Sequence, residues 1–167
     1  MPKISAGIIG TGYSVPERVL TNFDLEKMVQ TNDAWIVERT GIRERRIAAE
    51  NEPVSLFAQR AAEMALADAG VDAADLDLII MATLTSDRII PSTACVLQDR
   101  LGAKQAAAFD LSAACSGFVY AASIASQFIE NGIYRHVLVI GGETLSKVID
   151  WQDRNTCILF GDGAGAA

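Results

Sequence analysis

Apolar runs alternate with helix-like stretches along this chain, and that alternation limits the folds open to it more than any other feature. The runs ISAGIIGTGYSVP, LDLIIMATLT, AAAFDLSAA, HVLVIGGE and CILFGDGAGAA read as strands, ISAGIIGTGYSVP and AAAFDLSAA as buried ones, and the near-continuous apolarity of LDLIIMATLT suits a strand covered on both faces. Between them, TNFDLEKMV has the cap and spacing of a short helix, a second short helix is expected over 32–40, and Gly41 closes it. The clearest helix runs from Pro53 or Val54 to Ala69, with Pro53 suited to the first helical position and Gly70 to the left-handed position past its end. Further helices are expected over 92–101, stopped by Gly102, and over SGFVYAASIASQFIENG, stopped by Asn131 and Gly132. Strands alternating with helices imply an α/β fold with a mixed, mainly parallel sheet.

A chain of 167 residues suits one domain and buries roughly 70% of its unfolded surface. With 14 Lys and Arg against 21 Asp and Glu, the net charge of -7 argues against general binding to nucleic acid or an anionic membrane. The uncharged stretch 111–129 approaches spanning length, but its serines and Gln127 favour a strand and a buried helix over a transmembrane segment. The N-terminus lacks the pattern of a secretory signal, which points to the cytoplasm. Cys95, Cys115 and Cys157 are odd in number and widely spaced, and His136 is the one histidine, so neither a disulfide framework nor a metal site is expected. The run of small residues GDGAGAA follows strand-like CILF directly, a pattern expected of a chain cut within a longer protein.

Cys115 lies where AAAFDLSAA meets the helix beginning at Ser116 and Gly117. A thiol there meets the positive end of the helix macrodipole and unpaired N–H groups, the setting of a nucleophilic cysteine. Ala113, Ala114, Ser116 and Gly117 leave room for a carbonyl to approach and for the cysteine N–H to face an oxyanion. The alternative is a small buried hydrophobe, the reading that fits Cys95 in its helix and Cys157 in its strand. Trp35 and Arg39 share a helix face, where an indole beside a guanidinium could hold a flat base and a phosphate. Arg43, Arg45 and Arg46 extend that positive patch, although an ordinary surface helix with solvated arginines would read the same. Gly10-Thr11-Gly12 follows a strand, but Val15 and Pro16 break the dinucleotide-binding fingerprint. GDGAGAA has no Lys-Ser/Thr ending of a phosphate loop, and His136 reads as a surface residue rather than a base for Cys115.

Taken together, GTGYSVPERVLTN, TNDAWIVERTGIRERR, DLSAACSGFVYA, LVIGGETLSKVIDWQDRNT and ILFGDGAGAA closely resemble the β-ketoacyl-acyl-carrier-protein synthase III family of thiolase-superfamily condensing enzymes. The resemblance implies a thiolase-like fold of two similar halves in five αβαβα layers, with residues 1–167 forming the N-terminal half and the C-terminal half absent. It implies that Cys115 is the nucleophile, while the family's catalytic histidine and asparagine belong to the other half. It also implies a coenzyme A site at Thr31, Trp35, Arg39 and Arg154, and it places Ile90, in TSDRIIPSTA, near the partner subunit's acyl pocket.

The implied substrates are acetyl-coenzyme A or another short acyl-coenzyme A, and malonyl-acyl carrier protein. A cytoplasmic homodimer is implied, with no resident cofactor or metal and no nucleic-acid or membrane partner. Two alternatives stay open. One is a related synthase using the same cysteine on other acyl thioesters, and the other is a non-catalytic binding or assembly module.

Overall fold

The computed structural model describes residues 5–167. Its elements in chain order are β1 (Gly12–Ser14), β2 (Val19–Thr21), α1 (Asn22–Leu25), α2 (Asp33–Thr40), β3 (Glu44–Arg46), α3 (Val54–Ala69), β4 (Leu78–Ala82), α4 (Thr93–Leu101), β5 (Ala107–Leu111), α5 (Gly117–Glu130), β6 (Val137–Thr144) and β7 (Asp162–Ala166). A five-stranded sheet runs β1-β7-β6-β4-β5, and β2 and β3 form a separate hairpin-like pair. β4 pairs in parallel with both β5 and β6, whereas β7 is antiparallel to β6 and β1. The sheet is therefore mixed, with its parallel part at β5-β4-β6.

Strand β4 explains how the layers assemble. All five of its residues are buried, and successive side chains point to opposite faces. Ile79 and Met81 join the cluster formed with α3 and α4, together with Leu138 and Ile140 of β6. Leu78, Ile80 and Ala82 face the other way, onto Ala121 and Ala125 of α5 and Val139 of β6. Helices thus cover both faces of the central strands. Full burial of each Ile or Leu side chain contributes roughly 1.5–3 kcal/mol, which makes this strand the anchor of the domain.

Helix ends follow the capping chemistry in the sequence. The Thr21 hydroxyl and the Asp24 side chain close a reciprocal capping box on α1. Asn32 caps α2 and Ser92 caps α4 through their side chains, and Gly41, Gly70 and Gly102 end α2, α3 and α4 in the left-handed conformation. Pro53 sits at the N-cap of α3 rather than in its first turn.

Four further expectations need correction. The first strand covers only Gly12–Ser14; residues 5–11 are not strand, Ile8 and Ile9 are exposed, and residue 4 lies outside the described residues. Strand pairing with β7 holds over Gly12–Ser14, opposite Ala164–Ala166. Gly10 and Gly12 bring the chain onto α3 so closely that a Cβ on either would collide with the Ala65 or Ala61 carbonyl. The second correction concerns β5, which is an edge strand with Ala107 and Phe109 exposed, because only β4 pairs with it. Third, Cys157 lies in a succession of turns before β7, not in a strand.

The fourth concerns Arg45, which does not extend a surface patch. It is 5% exposed because alternation along β3 turns it inward between Glu44 and Arg46. Its guanidinium donates to Asn22 Oδ1 at 3.0 Å and to the Ile158 carbonyl at 2.8 Å. Asn22 in turn donates to Asp33 and to the Ile42 carbonyl. This network ties α1, α2, β3 and the turns before β7 around a second small core of Leu20, Leu25, Ile36, Ile47, Cys157 and Ile158. Among the described residues, no helix is long and apolar enough to cross a membrane.

Candidate active site

The carboxyl ends of β5, β4 and β6 converge, and ligands of open α/β sheets gather at such ends. The register pairs Ala82 with Leu111 on one side and with Gly141 on the other. Immediately past β5 the chain makes a short turn of 3-10 helix over Ala114–Ser116 and enters α5. Ala114 holds φ at 47°, a left-handed value for a residue with a side chain. Such a conformation costs on the order of 1–3 kcal/mol and persists where the surroundings impose it. Gly117 follows because a Cβ there would lie 3.0 Å from Ala82 Cβ, so α5 starts in direct contact with the end of β4.

This turn presents Cys115 exposed at the start of α5, while Cys95 is half-buried and Cys157 buried. Cys115 lines an open hollow of about 410 Å³, together with Ala82, Ala114, Phe118, Gly141, Gly142, Glu143, Leu145, Gly161, Gly163 and Gly165. Five glycines and two alanines leave backbone rather than side chains around the thiol, so a flat electrophile can reach the sulfur. The other two cysteines match the small-hydrophobe reading. Cys95 Sγ lies 3.7 Å from the Ala108 carbonyl, and burial, aided by the Asp153 carboxylate, pushes the Cys157 thiol up. His136 precedes β6 at its amino end, with Nδ1 3.2 Å from the Asp75 carbonyl oxygen. It therefore lies across the length of the sheet from Gly141 and the thiol.

A second cluster gathers on α2. Trp35 is half-buried against the small core, and its backbone N–H is capped by Asn32 Oδ1 at 2.8 Å. The Arg39 guanidinium lies 4.5 Å from the Trp35 ring centre and that of Arg154 lies 4.7 Å away. Arg154 also donates to the Gln30 carbonyl at 3.1 Å. Thr31 stands beside these residues in the chain, and its hydroxyl is buried without a hydrogen-bond partner. The structure thus brings together Trp35, Arg39 and Arg154 from segments far apart in sequence. A base stacking on the indole would take the place of one guanidinium.

Arg43 is exposed and Arg46 donates to the Pro16 carbonyl, so neither adds to the stack. Ile90 is 85% exposed in the segment between β4 and α4 and does not line the hollow. Glu143, which no sequence pattern singled out, also lines the hollow, and its carboxylate is hydrogen-bonded to residues 83–85. The one local signal was its place directly after two glycines at a strand's carboxyl end.

Known proteins resemble this chain in sequence and in fold. The family of 3-oxoacyl-[acyl-carrier-protein (ACP)] synthase III matches residues 109–167, the part that carries Cys115, β6 and β7. The chain is 62% identical over 165 residues to β-ketoacyl-[acyl-carrier-protein] synthase III of Caldanaerobacter subterraneus, covering 99% of this chain and 50% of that protein. It is 61% identical over 163 residues to the enzyme of that name from Geobacillus kaustophilus, covering 98% of this chain and 53% of that protein.

In structure, it superposes on 3-oxoacyl-[acyl-carrier-protein] synthase III of Aquifex aeolicus with a TM-score of 0.92 at 58% identity, over 98% of this chain and 52% of that one. The priming β-ketosynthase of the R1128 polyketide pathway gives 0.95 at 42% identity, over 100% of this chain and 50% of that one. Fold and site therefore define a thiolase-like α/β half with a thiol at the carboxyl ends of its parallel strands. Over the half that it spans, the chain is similar throughout to the β-ketoacyl-acyl-carrier-protein synthase III family. It spans about half the length of the curated relatives it matches.

Proposed function

We propose that the whole protein is an acyltransferase that starts fatty acid synthesis, with Cys115 as its nucleophile. The observation that carries this reading is the exposed thiol at the head of α5, in a hollow walled by glycine and alanine at the ends of three parallel strands. In the first stage the Cys115 sulfur attacks the carbonyl carbon of acetyl-coenzyme A or another short acyl-coenzyme A. The carbonyl oxygen takes up negative charge, and backbone N–H groups of the turn at Cys115 stabilise it. The carbon–sulfur bond to coenzyme A then breaks, coenzyme A leaves as its thiol, and an acyl-cysteine remains.

In the second stage malonyl-acyl carrier protein loses carbon dioxide. The resulting carbanion attacks the acyl carbon, a carbon–carbon bond forms, and Cys115 is released as the thiolate. Stabilising that carbanion requires hydrogen-bond donors on the enolate oxygen, supplied in the family by a histidine and an asparagine of the other half. His136 does not substitute. It stands five residues before Gly141 on β6, roughly 16 Å at about 3.3 Å per residue, beyond the roughly 3 Å of a catalytic hydrogen bond.

Trp35 and Arg154 receive the adenine of coenzyme A, and Arg39 and Thr31 lie near its phosphates and base. The orphaned Thr31 hydroxyl supports this assignment, since a buried donor without a partner costs stability unless a ligand satisfies it. The protein works in the cytoplasm as a homodimer, with Ile90 near the partner's acyl pocket and with no resident cofactor or metal. The R1128 priming ketosynthase has the same half-fold, and this favours one second reading, an acyl-thioester synthase of secondary metabolism.

The test is to incubate the purified 167-residue chain and the whole protein with labelled acetyl-coenzyme A and malonyl-acyl carrier protein. Acylation of Cys115 in both, with ketoacyl product and carbon dioxide from the whole protein alone, is the expected result. Condensation by the chain alone would overturn the division of labour. A whole protein that ignores acetyl-coenzyme A but accepts other starter thioesters would favour the second reading.

A further inference from the structure

We infer that Glu143 is a positioning residue that sets which acyl groups the hollow beside Cys115 accepts; this rests on the acyl-transfer reading above. Glu143 stands near the carboxyl end of β6 and lines the same hollow as Cys115 and Ala82. Its carboxylate takes no cation, since no Lys or Arg among the described residues lies within ion-pair distance. It is held instead by donors from one short segment, the residues that leave β4. Oε1 accepts from the Leu84 N–H at 2.8 Å. Oε2 accepts from the Thr85 hydroxyl at 2.6 Å, the Thr85 N–H at 3.1 Å and the Thr83 hydroxyl at 3.3 Å. The Thr85 oxygen closes the circuit by accepting from the Thr144 N–H at 2.8 Å.

Hydrogen bonds to a charged carboxylate are about twice as strong as neutral ones, so this one residue determines how the chain departs from the floor of the hollow. Two other carboxylates hold the same connection further on. Asp87 lies 3.4 Å from the Ser55 N–H, and Asp110 accepts from the Thr93 and Ala94 N–H groups at 2.8 and 2.7 Å. Neither of those touches the hollow. Glu143 thus joins the lining of the hollow to the segment that runs from Ala82 toward the exposed Ile89–Ile90 pair. Releasing it frees the chain directly after Ala82, a lining residue of the hollow, without touching the sulfur.

The experiment measures acyl transfer from acetyl-, butyryl- and hexanoyl-coenzyme A to Cys115 in the whole protein, by intact-mass spectrometry. Wild type is compared with Glu143→Gln, Thr85→Val and Thr85→Ser, and alkylation by iodoacetamide serves as a probe of the thiol too small to sense the wall. Expected for Glu143→Gln and Thr85→Val is a change in the hexanoyl-to-acetyl rate ratio of about tenfold, the scale of a methylene-sized change in an apolar pocket. Iodoacetamide labelling should stay within about twofold of wild type. Thr85→Ser keeps the hydroxyl and should keep the wild-type ratio. An unchanged ratio in both Glu143→Gln and Thr85→Val overturns the inference. So does an equal fall in all acyl donors and in iodoacetamide labelling, which would mark a merely structural role. If Glu143→Gln does not fold, Thr85→Val against Thr85→Ser decides alone. Wild type that takes no acyl group from any donor overturns the acyl-transfer reading instead.

Discussion

The hollow at Cys115 and the platform at Trp35 are built by opposite means. The hollow is made of backbone: glycines and alanines at strand ends, a left-handed Ala114, and a helix that starts against β4. The platform is made of long side chains, with an indole resting on a small core and two guanidiniums over it. A reacting sulfur needs its position fixed and space around it, and main chain at the ends of a buried sheet supplies both. A large polar ligand needs area and charge, which side chains at the surface supply, and these can reorganise when the ligand arrives. The difference teaches that the hollow and the platform rest on separate cores, one around β4 and one around Arg45.

The strongest way to break that comparison is Cys115→Ala in the whole protein. Acyl transfer should fall by on the order of 10⁴- to 10⁶-fold, as when a covalent nucleophile is removed, while calorimetry shows coenzyme A binding unchanged. Acylation that survives on Cys95 or Cys157 would remove the hollow's special status. The reciprocal change, Trp35→Ala, should weaken coenzyme A binding by about 1–3 kcal/mol, the range for a base stacked on an aromatic ring, and leave iodoacetamide labelling of Cys115 untouched. Equal affinity by calorimetry would break the platform's half of the comparison.

Arg45→Met tests whether the platform has its own support. It leaves the Asn22 Oδ1 and the Ile158 carbonyl short of a donor, a loss of about 1–3 kcal/mol. A lower urea midpoint followed by tryptophan fluorescence is expected, since both indoles pack on that core. An unmoved midpoint would mean that the core does not depend on Arg45.

The smallest effect concerns acid. The Thr21 hydroxyl, then Lys27 and the Thr21 N–H, hold the Asp24 carboxyl down from 3.8 to about 2. Because the folded value is lower than the unfolded one, the capping box stabilises α1 fully at pH values higher than 3.8. That contribution is lost as the pH falls toward about 2. An NMR titration should therefore find Asp24 still charged at pH 3 in wild type and titrating nearer its ordinary value in Thr21→Ala. A carboxyl that titrates alike in both would show that the cap does not hold it.

Much of this molecule was legible in its residues because the signals were local. Asn32, Ser92, Gly41, Gly70 and Gly102 mark helix ends by their own hydrogen bonds and backbone freedom, and Leu78 to Ala82 announce burial on both faces. The position of Cys115 between a strand and a helix was equally local, as was the shared face of Trp35 and Arg39. The family likeness added Thr31, Arg154 and Ile90, which no local pattern singles out.

What only the tertiary structure decided were matters of pairing. Whether residues 5–11 enter the sheet depends on what pairs beside them, and whether β5 is buried depends on how many strands flank it. Arg45 and Arg43 look alike in the chain, yet one is sealed inside by acceptors from Asn22 and Ile158 while the other faces water. Arg154 reaches Trp35 only because the second core brings the turns before β7 beside α2, and Glu143 reaches Thr85 only because β6 lies beside β4. Caps and periodicity act within a few residues, so the chain by itself specifies its elements. Burial and long-range hydrogen bonds depend on which elements become neighbours, and that is settled only when the whole core closes.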